Sequence, residues 1–279
     1  MKFDFEPKSA YPLFDSHAHY NDSRFDSQND SRTGKSAEID GGREAVLPAL
    51  FSGAVKYIVN AGTNLKTNAE SIALAEKYPG VYAAVGIHPE DIDPTADIEE
   101  TMDALRVQLA HPKVRALGEI GLDYYWDNVP REVQKLWLRR QLELARELSM
   151  PVVIHDRDAH GDIMDILRDY PDVRGEFHSF SASGEIARQL VKRGWYISFS
   201  GVITFKNASR LAEIVPTVPL DRVMIETDCP YLAPVPYRGK TNHSGLMEYT
   251  AARAAELYGI TVEAFCRHAF ENSVRFFGI

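Results

Sequence analysis

A (β/α)8 barrel is the fold this sequence predicts, and three observations carry the prediction. Eight apolar, β-branched runs recur along the 279 residues, with helical patterns between them. The runs are near-continuously apolar, as parallel strands buried on both faces require. Six of them end in a residue able to hold a metal ion, and barrel enzymes gather their chemistry at the C-terminal ends of their strands. A doubly wound open sheet is the competing arrangement, and it gives no reason for that shared placement. A single domain spanning residues 1–279 is expected, because barrels of about 250 residues form one unit.

The first run, 11–17, leads into "FDSHAHYND" (14–22). On a strand, residues i and i+2 share a face, so His17 and His19 project side by side at its end. The polar stretch 26–42 that follows predicts a long mobile loop with at most one helical turn. The second run is 54–62, and a helix is predicted over 64–78, starting at Asn64 and stopping before Pro79-Gly80. The third run, 80–88, ends in His88. The fourth, 114–123, carries Glu119, and a helix follows over 131–149. The fifth, 150–158, contains His155 and the sixth, 174–180, His178. A helix over 183–193 is capped by Ser183 and ended by Gly194. The seventh run is 195–202, followed by a helix over 207–215. The eighth, 221–230, carries Asp228. A proline- and glycine-rich loop, 232–245, and a final helix over 261–276, opened by Thr261, complete the chain.

A closed barrel makes the eighth strand the neighbour of the first. Asp228 therefore reaches His17 and His19, although about 210 residues separate them. His155 and His178 stand on adjacent strands and can form a second site, and Glu119 can bridge the two. Strand-end histidines also occur as satisfied polar residues, and a buried glutamate can accept backbone amides. Six ionisable side chains in one barrel mouth without a metal would, however, be costly to bury. Two divalent ions are expected. Imidazole ligands suit zinc or manganese, whereas magnesium prefers oxygen. With the ions acidifying a shared water, Asp228 is the expected proton acceptor and Glu119 the residue that both ions need.

Candidate substrate contacts are His88, Arg157, Lys206, Arg238 and Lys240. His88 has a second reading as a hydrogen-bond partner of Asp15 or of a ligand carboxylate, and Arg157 as a partner of Asp158. Tyr124, Tyr125 and Trp126 either stack on a base or pack under their loop. His111, His160 and His268 read as structural.

Composition sets limits. With 44% hydrophobic and 25% charged residues the chain is an ordinary globular one. Its net charge of -9 argues against a broad basic surface that coats nucleic acid, although metal ions in a pocket would still receive a phosphate. Cys229 and Cys266 form no disulfide framework, and a reducing cytoplasm is the expected compartment. The opening "MKFDFEPKSA" lacks the apolar core of a signal peptide, and no apolar window approaches the length of a membrane span.

The segments "FDSHAH", "VGIHPED", "ALGEIGLDYYW", "PVVIHDRDA", "FHSFSAS" and "MIETDCPYLAP" occur in an order that resembles the TatD-type metal-dependent hydrolases, from residue 14 to the final helix. "GEIGLDYY" and "ETDCPYL" are the specific ones. The resemblance implies one metal on His17, His19, Glu119 and Asp228, and another on Glu119, His155 and His178. It implies magnesium-dependent cleavage of DNA, with aminoacyl-tRNA deacylation as the alternative; the net charge of -9 favours single strands or 3′ ends over duplex as the substrate. A metal-binding scaffold without turnover is the non-enzymatic reading, and the complete ligand set opposes it. The chain departs from the pattern in the long 26–42 stretch, in "FSAS" at 180–183, and in His243 within "RGKTNHS" (238–244). The last puts substrate identity in doubt.

Overall fold

The computed structural model describes residues 11–26, 39, 41–126 and 128–279. Eight parallel strands stand in sequential order in one nearly closed sheet: β1 (Leu13–Ala18), β2 (Val55–Ala61), β3 (Val81–Val85), β4 (Val114–Asp123), β5 (Val152–Arg157), β6 (Gly175–Phe177), β7 (Tyr196–Phe199) and β8 (Val223–Ile225). The helices are α1 (Gly42–Ser52), α2 (Leu65–Lys77), α3 (Ile98–Leu109), α4 (Arg131–Leu148), α5 (His160–Leu167), α6 (Gly184–Lys192), α7 (Ser209–Ile214), α8 (Met247–Tyr258) and α9 (Val262–Phe277). This is the expected (β/α)8 barrel, with α9 added after the eighth strand–helix unit.

Local chemistry explains the boundaries. Asn64 caps α2 by accepting from the Lys66 and Thr67 amides, and the Thr67 hydroxyl accepts from the Asn64 amide in return. Ser183 and Thr261 cap α6 and α9 by accepting the Ile186 and Ala264 amides. Helix α4 ends on Ser149 in the left-handed conformation (φ 53°). The patterns at 64–78, 131–149, 183–193, 207–215 and 261–276 thus become α2, α4, α6, α7 and α9. The structure adds α1, α3, α5 and α8. Of the 26–42 stretch, residues 27–38 and 40 lie outside the described residues, as does the N-terminal decapeptide.

One face of the sheet buries Leu13, Ile58, Val85, Leu117, Ile154 and Ile225 against the helices. The enclosed face carries Phe14, Val59, Ala84, Ala116, Val153 and Met224, and Phe276 and Phe277 of α9 pack against it, with the Phe14 and Phe277 rings 5.6 Å apart. Apolar packing fills one end of the barrel and leaves polar side chains at the other.

Barrel closure between β8 and β1 uses few main-chain bonds. The Asp228 amide donates to the His17 carbonyl (2.9 Å) and the His19 amide to the Cys229 carbonyl (2.8 Å). Asp15 reinforces the seam: its carboxylate accepts from the Thr227 amide (2.9 Å), the Thr227 hydroxyl (2.6 Å) and the Ser244 hydroxyl (2.7 Å). Among the described residues no helix is long and apolar enough to cross a membrane.

Candidate metal centre

Six side chains predicted from the sequence converge at the C-terminal mouth of the barrel. His17 lies in β1, Glu119 in β4 and His155 in β5. His19, His178 and Asp228 follow the ends of β1, β6 and β8. Asp228 sits in the left-handed region (φ 56°), which short polar residues tolerate best.

The two oxygens of Glu119 face different partners. Oε2 lies 3.2 Å from His17 Nε2 and 3.6 Å from His19 Nε2. Oε1 lies 2.8 Å from both His155 Nδ1 and His178 Nε2. Asp228 Oδ1 stands 3.4 Å from His19 Nε2 and 3.9 Å from His17 Nε2, and the two Nε2 atoms are 3.1 Å apart. On the other side His155 Nδ1 and His178 Nε2 are 3.2 Å apart. Ligands about 2.1 Å from one ion lie about 3.0–3.4 Å from one another; four of these separations fall in that range and the others lie within about 0.5 Å of it, so small side-chain shifts would give each cluster the spacing of a metal's donor set.

Outer hydrogen bonds fix which ring nitrogens carry protons. His19 Nδ1 is 3.0 Å from the Ala61 carbonyl, which only accepts, so the proton sits on Nδ1 and Nε2 turns a lone pair inward. His155 Nε2 donates to Asp123 Oδ2 (3.0 Å), leaving Nδ1 free towards Glu119. His178 Nδ1 faces Glu226 Oε1 at 3.3 Å, leaving Nε2 free. Imidazoles held at their outer nitrogen by a carbonyl or carboxylate are the arrangement that orients metal ligands. His17 differs, because its Nδ1 is buried without a hydrogen-bond partner among the described residues. The donor set fits divalent metal ions, with imidazole nitrogen dominant and two carboxylates supplying oxygen.

His88 belongs to the cluster but plays a different part. It follows β3 and caps a short 3-10 turn (Pro89–Asp91) by accepting the Glu90 amide at Nδ1 (3.1 Å). In the neutral ring the proton is then on Nε2, 3.4 Å from Glu119 Oε1. His88 thus presents an N–H to the site and not a lone pair. Of its two sequence readings the carboxylate partner is Glu119, while Asp15 is occupied at the β1–β8 seam.

The electrostatics favour cations. Burial alone would raise the Glu119 carboxyl, but the nearby His178, His88 and His17 rings hold it well below the usual range. Asp228 is likewise held down, burial being outweighed by the His19 hydrogen bond and the ring charges. Burial lowers His155, yet the Asp123 and Glu119 hydrogen bonds raise it to about 9, so without a metal the ring also holds a proton on Nδ1 towards Glu119, which a bound cation would displace to reach the lone pair. Two residues before His178, Glu176 is buried with neither oxygen hydrogen-bonded to a described residue, and burial together with Glu226 raises it well above a normal glutamate.

A cavity of about 850 Å³ opens over this cluster. His88, Arg157 and Trp126 line it; Lys206, Arg238 and Lys240 do not. The Arg157 guanidinium lies 3.9 Å above the Tyr125 ring and 5.7 Å from Trp126, not in an ion pair with Asp158. Tyr125 and Trp126 are 56% and 47% exposed, so they are not packed under their loop, whereas Tyr124 donates to Asp162 (2.6 Å). His160 pairs with Asp156 and His111 with Glu76, away from the cluster. His243 lies in the 232–245 segment and does not line the cavity.

Sequence reasoning missed Asp123 and Glu226, although both lie within quoted segments. The available signal was a second carboxylate close along the strand from each ligand: Asp123 four residues after Glu119, Glu226 two before Asp228. Asp123 is also clamped by the Tyr125 and Trp126 amides on Oδ1 (2.9 and 3.1 Å).

Comparison with known proteins finds relatives over nearly the whole chain. A family model described as TatD related DNase matches residues 14–278. The uncharacterized metal-dependent hydrolase YabD of Bacillus subtilis is 40% identical over 96% of this chain and 99% of its own. The uncharacterized metal-dependent hydrolase YcfH of Escherichia coli K12 is 37% identical over 84% of this chain and 88% of its own. The crystal structure of the TatD homologue YjjV from Escherichia coli superposes with a TM-score of 0.84 at 27% identity, covering 96% of this chain and 98% of that one.

Proposed function

This chain belongs to the TatD-related DNase family and is a metal-dependent hydrolase, and from that premise we propose that it cleaves phosphodiester bonds in DNA, on single strands or at 3′ ends, with two divalent ions. The observation that carries the reading is the division of Glu119, one oxygen towards His17 and His19 and the other towards His155 and His178. In the proposal His17, His19, Glu119 and Asp228 hold one ion, and Glu119, His155 and His178 hold the other.

Divalent ions in these positions would acidify a water and draw charge from a phosphoryl oxygen. The remaining work falls to the protein. Asp228, with a side chain more open to the cavity than that of Glu119, accepts the water's proton and returns it to the leaving oxygen. His88 Nε2–H, 3.4 Å from Glu119 Oε1, would pass from that long contact to a phosphoryl oxygen when substrate is bound. Asp123, Glu226 and the Ala61 carbonyl hold three rings in the tautomer that binds. Trp126 and the Tyr125–Arg157 pair offer a face on which a base can stack.

The cavity wall supports a short single strand over duplex. Glu70, Glu90 and Asp91 line one side of it, a poor path for a continuous phosphate backbone. The test is to strip the protein of metal, restore magnesium, manganese or zinc in turn, and offer end-labelled single strands, matched duplex and charged tRNA. Cleavage of the single strands ahead of the duplex is expected. Release of an amino acid from tRNA with every oligonucleotide intact would replace this reading by the deacylase one.

A further inference from the structure

The outer parts of the segments after β7 and β8 are basic. Residues 200–212 and 229–247 contain Lys206, Arg210, Arg238 and Lys240, whereas the carboxylates of the segment after β8, Glu226 and Asp228, face inward to the histidine cluster, and Glu213 and Glu248 follow the two stretches. The fold brings the two loops together. The Arg238 guanidinium lies 4.4 Å above the Phe205 ring, next in sequence to Lys206. The Val235 amide donates to the Thr204 hydroxyl (2.9 Å), and a turn closed by the Lys240 amide on the Tyr237 carbonyl (3.0 Å) places Lys240 beside Tyr237. Tyr237 in turn packs edge-on to Tyr249 at 5.3 Å. Lys206, Arg238 and Lys240 are exposed, and among the described residues none is paired with a carboxylate. This surface adjoins the cavity, because Val202, Tyr231 and Leu232 of the same two loops line the cavity wall.

We propose that this apron of Lys206, Arg238 and Lys240, with Phe205 and Tyr237 between them, is a second nucleic-acid site that holds the part of a single strand lying outside the cavity. The inference rests on the nuclease reading above. Cations spaced among aromatic rings grip a single strand through its phosphates and through base stacking, without reading sequence. Across the barrel, Glu70 of α2 and Asp91 after β3 line the same cavity and repel the same chain. A strand seated over the metal centre therefore leaves across the β7–β8 loops. Apparent affinity should then grow with oligonucleotide length beyond what the cavity itself contains.

The experiment compares the wild-type protein with a Lys206→Ala/Arg238→Ala/Lys240→Ala variant and with Tyr237→Ala, all metal-loaded. KM is measured for a dinucleotide and for a 12-nucleotide single strand, together with turnover of a small phosphodiester. Binding of a labelled 12-mer to metal-free protein across a salt series provides a readout independent of turnover. The triple variant should raise KM for the 12-mer about tenfold and flatten the slope of log K against log salt by about 2, one cation–phosphate contact accounting for about 0.7. KM for the dinucleotide and turnover of the small ester should stay unchanged. Tyr237→Ala should weaken 12-mer binding with the salt slope intact. Unaltered 12-mer KM and salt slope in the triple variant, with the wild type cutting DNA normally, would overturn the apron alone. A wild type that hydrolyses the small ester but no oligonucleotide would overturn the nuclease reading and the apron with it.

Discussion

Replacing Asp123 by asparagine changes one atom and should invert the proton on His155. Asp123 Oδ1 accepts two backbone amides, from Tyr125 and Trp126, while Oδ2 accepts His155 Nε2–H. Asparagine has one oxygen and one NH2 group. If the oxygen stays with the two amides, the NH2 faces His155 Nε2, and two donors cannot share that contact. The ring then moves its proton to Nδ1, the atom 2.8 Å from Glu119 Oε1, and the lone pair proposed for the metal is lost. If the amide group flips instead, its NH2 meets two N–H donors, and the loss of those two hydrogen bonds costs about 2 kcal/mol. Metal binding must pay that smaller penalty, which lowers affinity about thirtyfold. This falls inside the roughly 10–100-fold range for the outer partners of metal-bound histidines. The assay is metal content at buffered free-metal concentrations, with the His155 ring nitrogens followed by NMR and urea unfolding as a control on the fold. Wild-type metal affinity in Asp123→Asn, with the His155 proton still on Nε2, would refute the tautomer argument and make Asp123 a structural clamp for the 124–126 turn.

The other predictions concern the same centre and its support. Glu119→Gln should reduce bound metal at both positions and abolish hydrolysis, as followed by elemental analysis and turnover; two ions retained with activity within about tenfold would end the bridging assignment. Asp228→Asn keeps a ligand oxygen and tolerates φ 56°, so partial metal retention with turnover down by about 10²-fold is expected; near-normal turnover would leave Asp228 a ligand only. Chelation should stop hydrolysis, and returning divalent metal should restore it. Gly175→Ala would set a Cβ 2.3 Å from the buried Trp195 ring, so it should lower the urea midpoint by an amount equivalent to about 1–3 kcal/mol, and an unchanged midpoint would show that Trp195 has room to move.

The barrel was readable because parallel strands covered on both faces leave runs of apolar residues that no exposed strand would carry. Helices α1, α3, α5 and α8 were less visible for local reasons: α1 contains Pro48, and α8 buries a face made largely of alanine. The six proposed ligands were readable from strand-end position, since topology alone puts β1 beside β8. Strand-end position gives the face of the barrel but not the distance from its axis. His88 and Arg157 therefore reach the cavity, whereas Lys206, Arg238 and Lys240 ride outward on their loops. Ring tautomers could not be read at all, because they depend on which acceptor stands behind each imidazole.

The seam between β1 and β8 has a consequence for biosynthesis. His17 and His19 emerge from the ribosome early and Asp228 late, and their cluster forms only when the two strands meet through Asp15, Thr227 and Ser244. A nascent chain that has passed residue 178 but not yet reached residue 228 contains five of the six proposed ligands but cannot assemble the His17–His19–Asp228 group. With the metal ligands proposed above, hydrolytic competence would be withheld from growing or prematurely terminated chains and would arrive only as the barrel closes.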